Sequence, residues 1–152
     1  MSKRRVLIAI DGSEDSRRAF NFYLDQIHND GNTALLIHIS ETPNLPVFTF
    51  KTGLKLPVEE WTKILTDKVR KAQSIEKDYE AILVQKKIKY KILSGETFAS
   101  PGEGIVRLAE KEDVSLIVLG RRGLGNWAKK LVGSVSEFVM RNSPCDTLII
   151  PR

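Results

Sequence analysis

The feature of this sequence that most restricts its fold is the alternation of short apolar runs with longer amphipathic segments. The first run, VLIAI at residues 6–10, is apolar without interruption, which is typical of a strand buried on both faces of a parallel sheet. Residues 88–93 instead alternate apolar side chains with lysines, as an outer strand with one exposed face does. Strands are predicted in five places: residues 6–10, 34–39, 88–93, 115–119 and 147–150.

Amphipathic helices are predicted between these strands. Helical periodicity covers residues 14–28 and 58–85, and the SPGE sequence at residues 100–103 has the capping pattern that starts a third helix. A fourth helix is predicted over residues 135–141. Strands separated by helices require parallel pairing through right-handed crossovers, with helices on both faces of the sheet. The sequence therefore predicts one doubly wound α/β domain with a five-stranded parallel sheet.

Composition excludes several classes of protein. The 152 residues are 41% hydrophobic and 28% charged, as in soluble globular proteins, and no apolar run has the length of a membrane span. The apolar stretch after the basic N-terminus is interrupted by Asp11, so we expect no signal peptide and a cytoplasmic location. The lone Cys145 excludes an internal disulfide and a cysteine-rich metal site, and we expect it to be a buried structural thiol.

The net charge of +5 does not by itself indicate nucleic-acid binding. Acids and bases are interleaved along the chain, without a dense basic block or interleaved aromatic residues. This pattern is typical of solvated helix faces. The charge balance fits a small anionic ligand, and we expect neither a nucleic-acid nor a membrane partner.

A ligand site is expected at one edge of the sheet. In doubly wound sheets, ligands bind beyond the carboxyl ends of the strands, where the strand order reverses. This rule selects residues 11–13 after the first strand, residues 39–41 after the second and residues 120–136 after the fourth. The third of these segments reads GRRGLGNWAKKLVGSVS, which combines two glycine clusters with basic residues.

Helix N-termini favour anions because their free N–H groups and the helix dipole are both positive. The first helix begins beside Asp11, Glu14 and Asp15, whose carboxylates would repel a phosphate. The helix after Gly133 has no acid between Gly120 and its start. The basic residues nearby are Arg121, Arg122, Lys129 and Lys130. We therefore predict phosphate binding at the later helix.

The glycines of this segment fit the same interpretation. Gly120 is expected to let the chain turn sharply off the strand, Gly123 to leave room for a phosphate, and Gly133 to open the start of the helix. The N–H groups and hydroxyls expected to meet the phosphate belong to Ser134, Val135 and Ser136. The alternative is a flexible loop followed by an ordinary serine N-cap.

Asp11 allows two interpretations, which the residues alone leave open. Its carboxylate could accept hydrogen bonds from ribose hydroxyls or coordinate Mg²⁺ beside phosphates, or it could be a turn residue that caps the first helix. We expect His38 to be a partly buried strand residue rather than a catalyst. Residues 40–57 have the length of a functional connection, and Trp127 either packs on the sheet edge or shields the ligand.

Two segments of the chain resemble the universal stress protein family: VLIAIDGSEDS at the first strand, and LIVLGRRGLGNWAKKLVGSVSEFVMRNSPCDTLII near the end. The chain reproduces the glycine pattern of the ATP-binding branch of that family. Two residues separate Gly120 from Gly123, and nine residues separate Gly123 from Gly133-Ser134. The resemblance extends over essentially the whole chain. It implies a single universal stress protein domain over residues 1–152, a sheet of order 3-2-1-4-5 and a homodimer joined through residues 147–150.

The resemblance also implies a site for ATP with Mg²⁺. Ala9 and Asp11 would lie beside the nucleoside, with Asp11 near the ribose or the metal, and the backbone of Ile39 would meet adenine. The residues implied for the ribose and phosphates are Leu119, Gly120, Arg122, Gly123, Gly133, Ser134, Val135 and Ser136. Two positions depart from the family: Arg121, which would strengthen phosphate attraction, and Asp146, which would weaken an edge-strand dimer contact.

The resulting interpretation is an ATP-binding stress-response module with weak or absent hydrolysis, since the chain has no G-x-x-x-x-G-K-[ST] motif and no evident general base. One alternative is an ATP-dependent adenylating enzyme, because DGSEDS partly resembles a pyrophosphate-binding loop at Gly12, Asp15 and Ser16. A nucleotide-free interaction module is disfavoured by the intact glycine spacing. A receiver-type phosphorylation domain would need a carboxylate after the third strand, where Leu93-Ser94-Gly95 has none.

Overall fold

The computed structural model describes residues 3–38, 58–93, 100–121 and 133–151. The strands are β1 (Arg5–Ile10), β2 (Thr33–His38), β3 (Tyr90–Leu93), β4 (Leu116–Gly120) and β5 (Asp146–Ile150). They pair in parallel, in the order β3-β2-β1-β4-β5. The doubly wound parallel sheet that was predicted from the alternation is confirmed, and so is the strand order implied by the family resemblance.

The helices between the strands are α1 (Glu14–Phe22), α2 (Val58–Gln85), α3 (Pro101–Lys111) and α4 (Ser134–Asn142). After α1 the chain forms a π-helical turn, Tyr23–Ile27, in which the N–H of His28 donates to the Tyr23 carbonyl over 2.8 Å. The helix predicted over residues 14–28 therefore changes its hydrogen-bond spacing part-way along. Side-chain periodicity alone did not indicate this change.

The start of β3 differs from its prediction. The strand begins at Tyr90, two residues later than the apolar pattern suggested. Lys87 adopts a left-handed conformation with φ of 56°, and the N–H of Ile88 donates to the Leu83 carbonyl at the end of α2. The chain is thus still completing the helix cap at residue 88.

Both faces of the sheet are covered, as the continuous apolar sequence of β1 predicted. Ile8 faces α1 and α2 and packs in one cluster with Phe20 and Tyr79. Leu7 faces α3 and α4 and belongs to a second cluster with Ile105 and Val139. Leu7 and Ile8 are fully buried, and each such side chain contributes roughly 1.5–3 kcal/mol to folding. Burial on both faces places β1 at the centre of the fold.

Gly120 has a different role from the one predicted for it. It is the last residue of β4, paired with Ile150 of β5, and does not turn the chain off the strand. A Cβ atom at this position would lie 2.3 Å from the carbonyl oxygen of Asp15 and 2.9 Å from the backbone nitrogen of Ser16. The glycine therefore allows the first turn of α1 to approach β4 closely.

Among the described helices, none is both long and apolar enough to span a bilayer.

We predict that Gly120→Ala lowers the free energy of unfolding by about 3 kcal/mol, because the new methyl group collides with backbone atoms that cannot move independently. The matched control is Gly102→Ala in α3. There the nearest atom to the added carbon would be Cδ1 of the Phe138 ring, at 2.8 Å, and this ring belongs to a side chain that is 40% exposed and can rotate. Phe138 Cβ, at 3.1 Å, would need to shift by only a few tenths of an ångström. Urea unfolding followed by circular dichroism should show a much smaller loss for the control; equal losses would contradict this account.

Candidate functional site

A cavity of about 470 Å³ lies at the carboxyl edge of the sheet. Eight residues predicted for the site line it: Ala9, Asp11, Leu119, Gly120, Gly133, Ser134, Val135 and Ser136. Ile39, Arg122, Gly123 and Trp127 lie outside the described residues, as do residues 40–57. The cavity therefore brings together segments that are more than 100 residues apart, at the strand ends the sequence selected.

The turn between β1 and α1 is held by hydrogen bonds within the chain. Oδ1 of Asp11 accepts from the backbone N–H of Ser13 over 2.9 Å and from the Ser13 hydroxyl over 2.5 Å. Gly12 between them has φ of 77°, a conformation that favours glycine. Ser13 in turn caps α1, since its Oγ accepts from the N–H of Ser16 over 3.1 Å. Asp11 is therefore a turn aspartate, and it also lines the cavity.

Ser16 connects this turn to α2. Its hydroxyl donates to the Ser13 carbonyl over 3.1 Å and accepts from the Asp11 N–H over 3.3 Å. It also lies 3.0 Å from the Tyr79 hydroxyl, with both residues buried. The Arg17 guanidinium lies 4.1 Å above the Tyr79 ring, and burial raises the pKa of the tyrosine. A buried polar network of this kind fixes the position of Asp11 relative to α2.

Among the described residues, no side chain caps the start of α4. Gly133 is its N-cap residue, and the first helical hydrogen bond runs from the Glu137 N–H to the Gly133 carbonyl over 2.9 Å. The N–H groups of residues 134–136 therefore have no acceptor within the helix. Gly133 has φ of −59°, which any residue can adopt, so its backbone conformation does not require glycine. Gly133 lines the cavity without bringing a side chain into it.

The two serines at the start of α4 differ in their surroundings. Ser134 is exposed, whereas Ser136 is buried and its hydroxyl donates to the Gly120 carbonyl over 3.5 Å. That contact connects α4 to the end of β4. Glu137, an acid in the first turn that the sequence argument did not weigh, places its carboxylate 3.0 Å from Arg141. Its charge is thereby partly balanced within the helix.

The start of α1 offers much less to an anion. Ser13 already caps the helix, and Asp15 is only 5% exposed. The Asp15 carboxylate lies 3.1 Å from Arg18, one turn further along the helix. A phosphate here would have to displace the chain's own cap and approach a buried carboxylate. The contrast between α1 and α4 that the sequence predicted is therefore present in the geometry.

One side of the cavity, formed by residues of α2 and called the α2 wall below, was not predicted from the sequence. Lys68 and Lys71 line it, together with His38 at the end of β2. Burial lowers the pKa of His38; the Asp11 carboxylate opposes this shift, and both ammonium groups add to it. The helical spacing of Lys68, Lys71 and Ile75 could have revealed this wall, because it is the spacing of one helix face.

The donor set for a metal is limited. Among the described residues, no cluster of three or more His, Cys, Asp or Glu side chains could hold a metal ion. Asp11 is the only carboxylate among the described residues that line the cavity. A single carboxylate suits Mg²⁺ that is held chiefly by the phosphates of a ligand, and does not suit a site built from protein alone.

The family model and the relatives that match this chain indicate the same family. The model of the universal stress protein family matches residues 3–151. The putative universal stress protein SH1215 of Staphylococcus haemolyticus is 26% identical over 152 residues, covering 99% of this chain and 86% of that protein.

Solved structures share the fold. Hypothetical protein MJ0577 has a TM-score of 0.76 at 24% identity, covering 100% of this chain and 98% of that one. The universal stress protein family protein At3g01520 of Arabidopsis thaliana, solved with AMP bound, has a TM-score of 0.65 at 17% identity, covering 98% and 92%. A universal stress protein in complex with cAMP has a TM-score of 0.55 at 23% identity, covering 99% and 98%. With the family model matching nearly its whole length, this chain belongs to the universal stress protein family.

Proposed function

We propose that this protein binds ATP, together with Mg²⁺, and acts as a nucleotide-dependent stress-response or signalling module with weak or no hydrolysis. The observation that carries the proposal is the uncapped start of α4, which opens into the same cavity as Asp11. The volume of about 470 Å³ falls in the range of small-molecule sites. AMP and cAMP in two structures of the same fold support a nucleotide as the ligand.

The order of strands suggests how the nucleotide lies. β1 separates β2 from β4, so the cavity runs along the sheet edge from His38, past Asp11, to Gly120. In the proposed complex the phosphates accept hydrogen bonds from the N–H groups of residues 133–136, where the helix dipole is positive. Asp11 then lies beside the ribose or the phosphate-bound Mg²⁺. Adenine lies towards β2 and the backbone of Ile39. Arg122 and Gly123 are proposed to contact the phosphates.

Slow hydrolysis is expected from the placement of the titratable side chains. Asp11 accepts two hydrogen bonds from Ser13, which hold its carboxylate in the turn between β1 and α1. His38 is on β2, roughly 10 Å across the sheet from β4, because neighbouring strands are about 4.8 Å apart. Neither group is well placed to activate water against a terminal phosphate at α4.

The contacts at the start of α1 disfavour the alternative of an ATP-dependent adenylating enzyme. Its pyrophosphate loop would need the groups at the start of α1. There Asp15 is buried against Arg18, and Ser16 is bonded to Ser13 and Tyr79. These contacts leave α4 as the better phosphate site.

We predict that Gly133→Asp raises the Kd for ATP at least about thirtyfold, or about 2 kcal/mol, because a carboxylate is placed against the phosphates. Gly133→Asn is the matched control, equal in size and uncharged, and should raise the Kd far less. Isothermal titration calorimetry measures both, with GTP expected to bind more weakly than ATP to the unmodified protein. A Kd for Gly133→Asp within roughly threefold of the unmodified protein's value would contradict the proposal.

We also predict that Tyr79→Phe raises the Kd for ATP about fivefold, because removing the hydroxyl loosens the link from α2 through Ser16 to Asp11. Tyr90→Phe is the control. It removes a comparable hydroxyl, hydrogen-bonded to Glu80 over 2.6 Å, from an outer strand that does not line the cavity. The same titration should show no change for Tyr90→Phe. Equal effects of the two variants would contradict a positioning role for Tyr79.

We further propose a homodimer joined through residues 147–150. β5 is the outermost strand beside β4, and its middle residues remain half-exposed. Ile149 belongs to neither buried cluster among the described residues, which makes it available to a second copy. An edge strand of this kind is readily covered by association.

We predict that Ile149→Lys converts the protein from dimer to monomer, because a charge would be buried between the two edge strands. Size-exclusion chromatography with light scattering should give twice the chain mass of 17.1 kDa for the unmodified protein and a single chain mass for the variant. Val84→Lys, an equivalent change on an exposed part of α2, should remain dimeric. A monomeric unmodified protein would refute the proposal.

A further inference from the structure

The cavity carries positive charge in two separate places. One is the uncapped start of α4, which packs on the same face of the sheet as α3. The other is the α2 wall with Lys68 and Lys71, which belongs to the opposite face. His38 lies beside the lysines, close enough for both to lower the pKa of its imidazole.

The α2 wall carries two ammonium groups, those of Lys68 and Lys71, about one helical turn apart. Asp11 is the only carboxylate among the described residues that line the cavity. On the helix itself, Asp67 precedes Lys71 by one turn, but its carboxylate lies 3.6 Å from Arg70. Lys71 takes part in none of the ion pairs between described residues. Like charges one turn apart repel, so this arrangement is favoured by an anion in the cavity.

A nucleotide phosphorylated only on its 5′ side supplies no anion at this wall. In the proposed orientation its phosphates lie at α4, while the ribose lies near Asp11 and adenine lies towards β2. Both of these groups are uncharged. The ribose hydroxyls, however, lie between β1 and the α2 wall, so a phosphate attached to one of them would come within reach of the lysines.

Resting on the proposed nucleotide binding, we propose that Lys71 and Lys68, with His38, form a second phosphate subsite, and that the preferred ligand carries a phosphate on its ribose 2′ or 3′ oxygen as well as on its 5′ oxygen. The ammonium groups donate charge-assisted hydrogen bonds to the ribose phosphate. The imidazole can contribute an N–H donor. The Asp11 carboxylate, which also lines the cavity, is bonded to Ser13.

The test compares ligands that differ by one phosphate group. AMP, adenosine 2′,5′-bisphosphate and adenosine 3′,5′-bisphosphate are titrated into the full chain by calorimetry at one ionic strength, with ATP in a parallel titration. One of the two bisphosphates should bind about tenfold more tightly than AMP. If ATP and AMP bind and neither bisphosphate gains affinity, the subsite is refuted while the proposed function stands. If none of the four ligands binds, the proposed function itself fails.

Variants of the two lysines test whether the tighter binding of the bisphosphate comes from the α2 wall. Lys71→Gln should abolish most of the tenfold preference, with a loss of affinity for the bisphosphate that clearly exceeds any loss for AMP, and Lys68→Gln should act in the same direction. Lys77→Gln is the control, since Lys77 is exposed on the same helix and lines no part of this cavity. Lysine and glutamine have similar helix propensities, so the fold should be unaffected. Equal losses for AMP and the bisphosphate in Lys71→Gln would place the lysine on the shared part of the nucleotide and overturn the inference.

Discussion

The contact on which the site depends is the approach of the α1 backbone to Gly120. The Asp15 carbonyl lies where the Cβ atom of any other residue at position 120 would stand. This contact places the first turn of α1 directly against the end of β4. As a result the Asp11 turn and the start of α4 border one cavity, although residues 11 and 133 are far apart in the chain. A larger residue at 120 would separate the two halves of the site before any ligand arrived.

Two helix starts border this cavity, and their caps decide their chemistry. At α1, Ser13 caps the helix, and Asp15 brings negative charge into the first turn. At α4, the N-cap is Gly133, which has no side chain to offer. The dipole is equally positive at both starts, so the difference comes from what the chain itself supplies to the free N–H groups. With glycine as the N-cap residue, the acceptors for these N–H groups can come from a ligand.

Much of this arrangement could be predicted from the sequence because it follows from strong local patterns. The continuous apolar run of β1 indicated burial on both faces, and the missing acids before Gly133 distinguished α4 from α1. The role of Gly120 could not be predicted, because a glycine needed for a turn and one needed for close packing look the same in a sequence. The Ser16–Tyr79 contact joins residues 63 positions apart, and no local pattern reports such a pair. Lys68 and Lys71 were missed because lysines on a helix are usually solvated.

The Ser16–Tyr79 contact and the two cavity lysines, neither of which was predicted, all involve α2. Its only buried residues, Tyr79 and Leu83, lie in the C-terminal part, and Tyr79 fixes the Asp11 turn through Ser16. Lys71 precedes Tyr79 by eight residues, or about 12 Å of helix. The helix is thus held to the core at one end and presents its lysines to the cavity nearer the other. An anion bound by Lys71 would add a contact at the less buried end, so ligand binding and the packing of α2 are expected to strengthen one another.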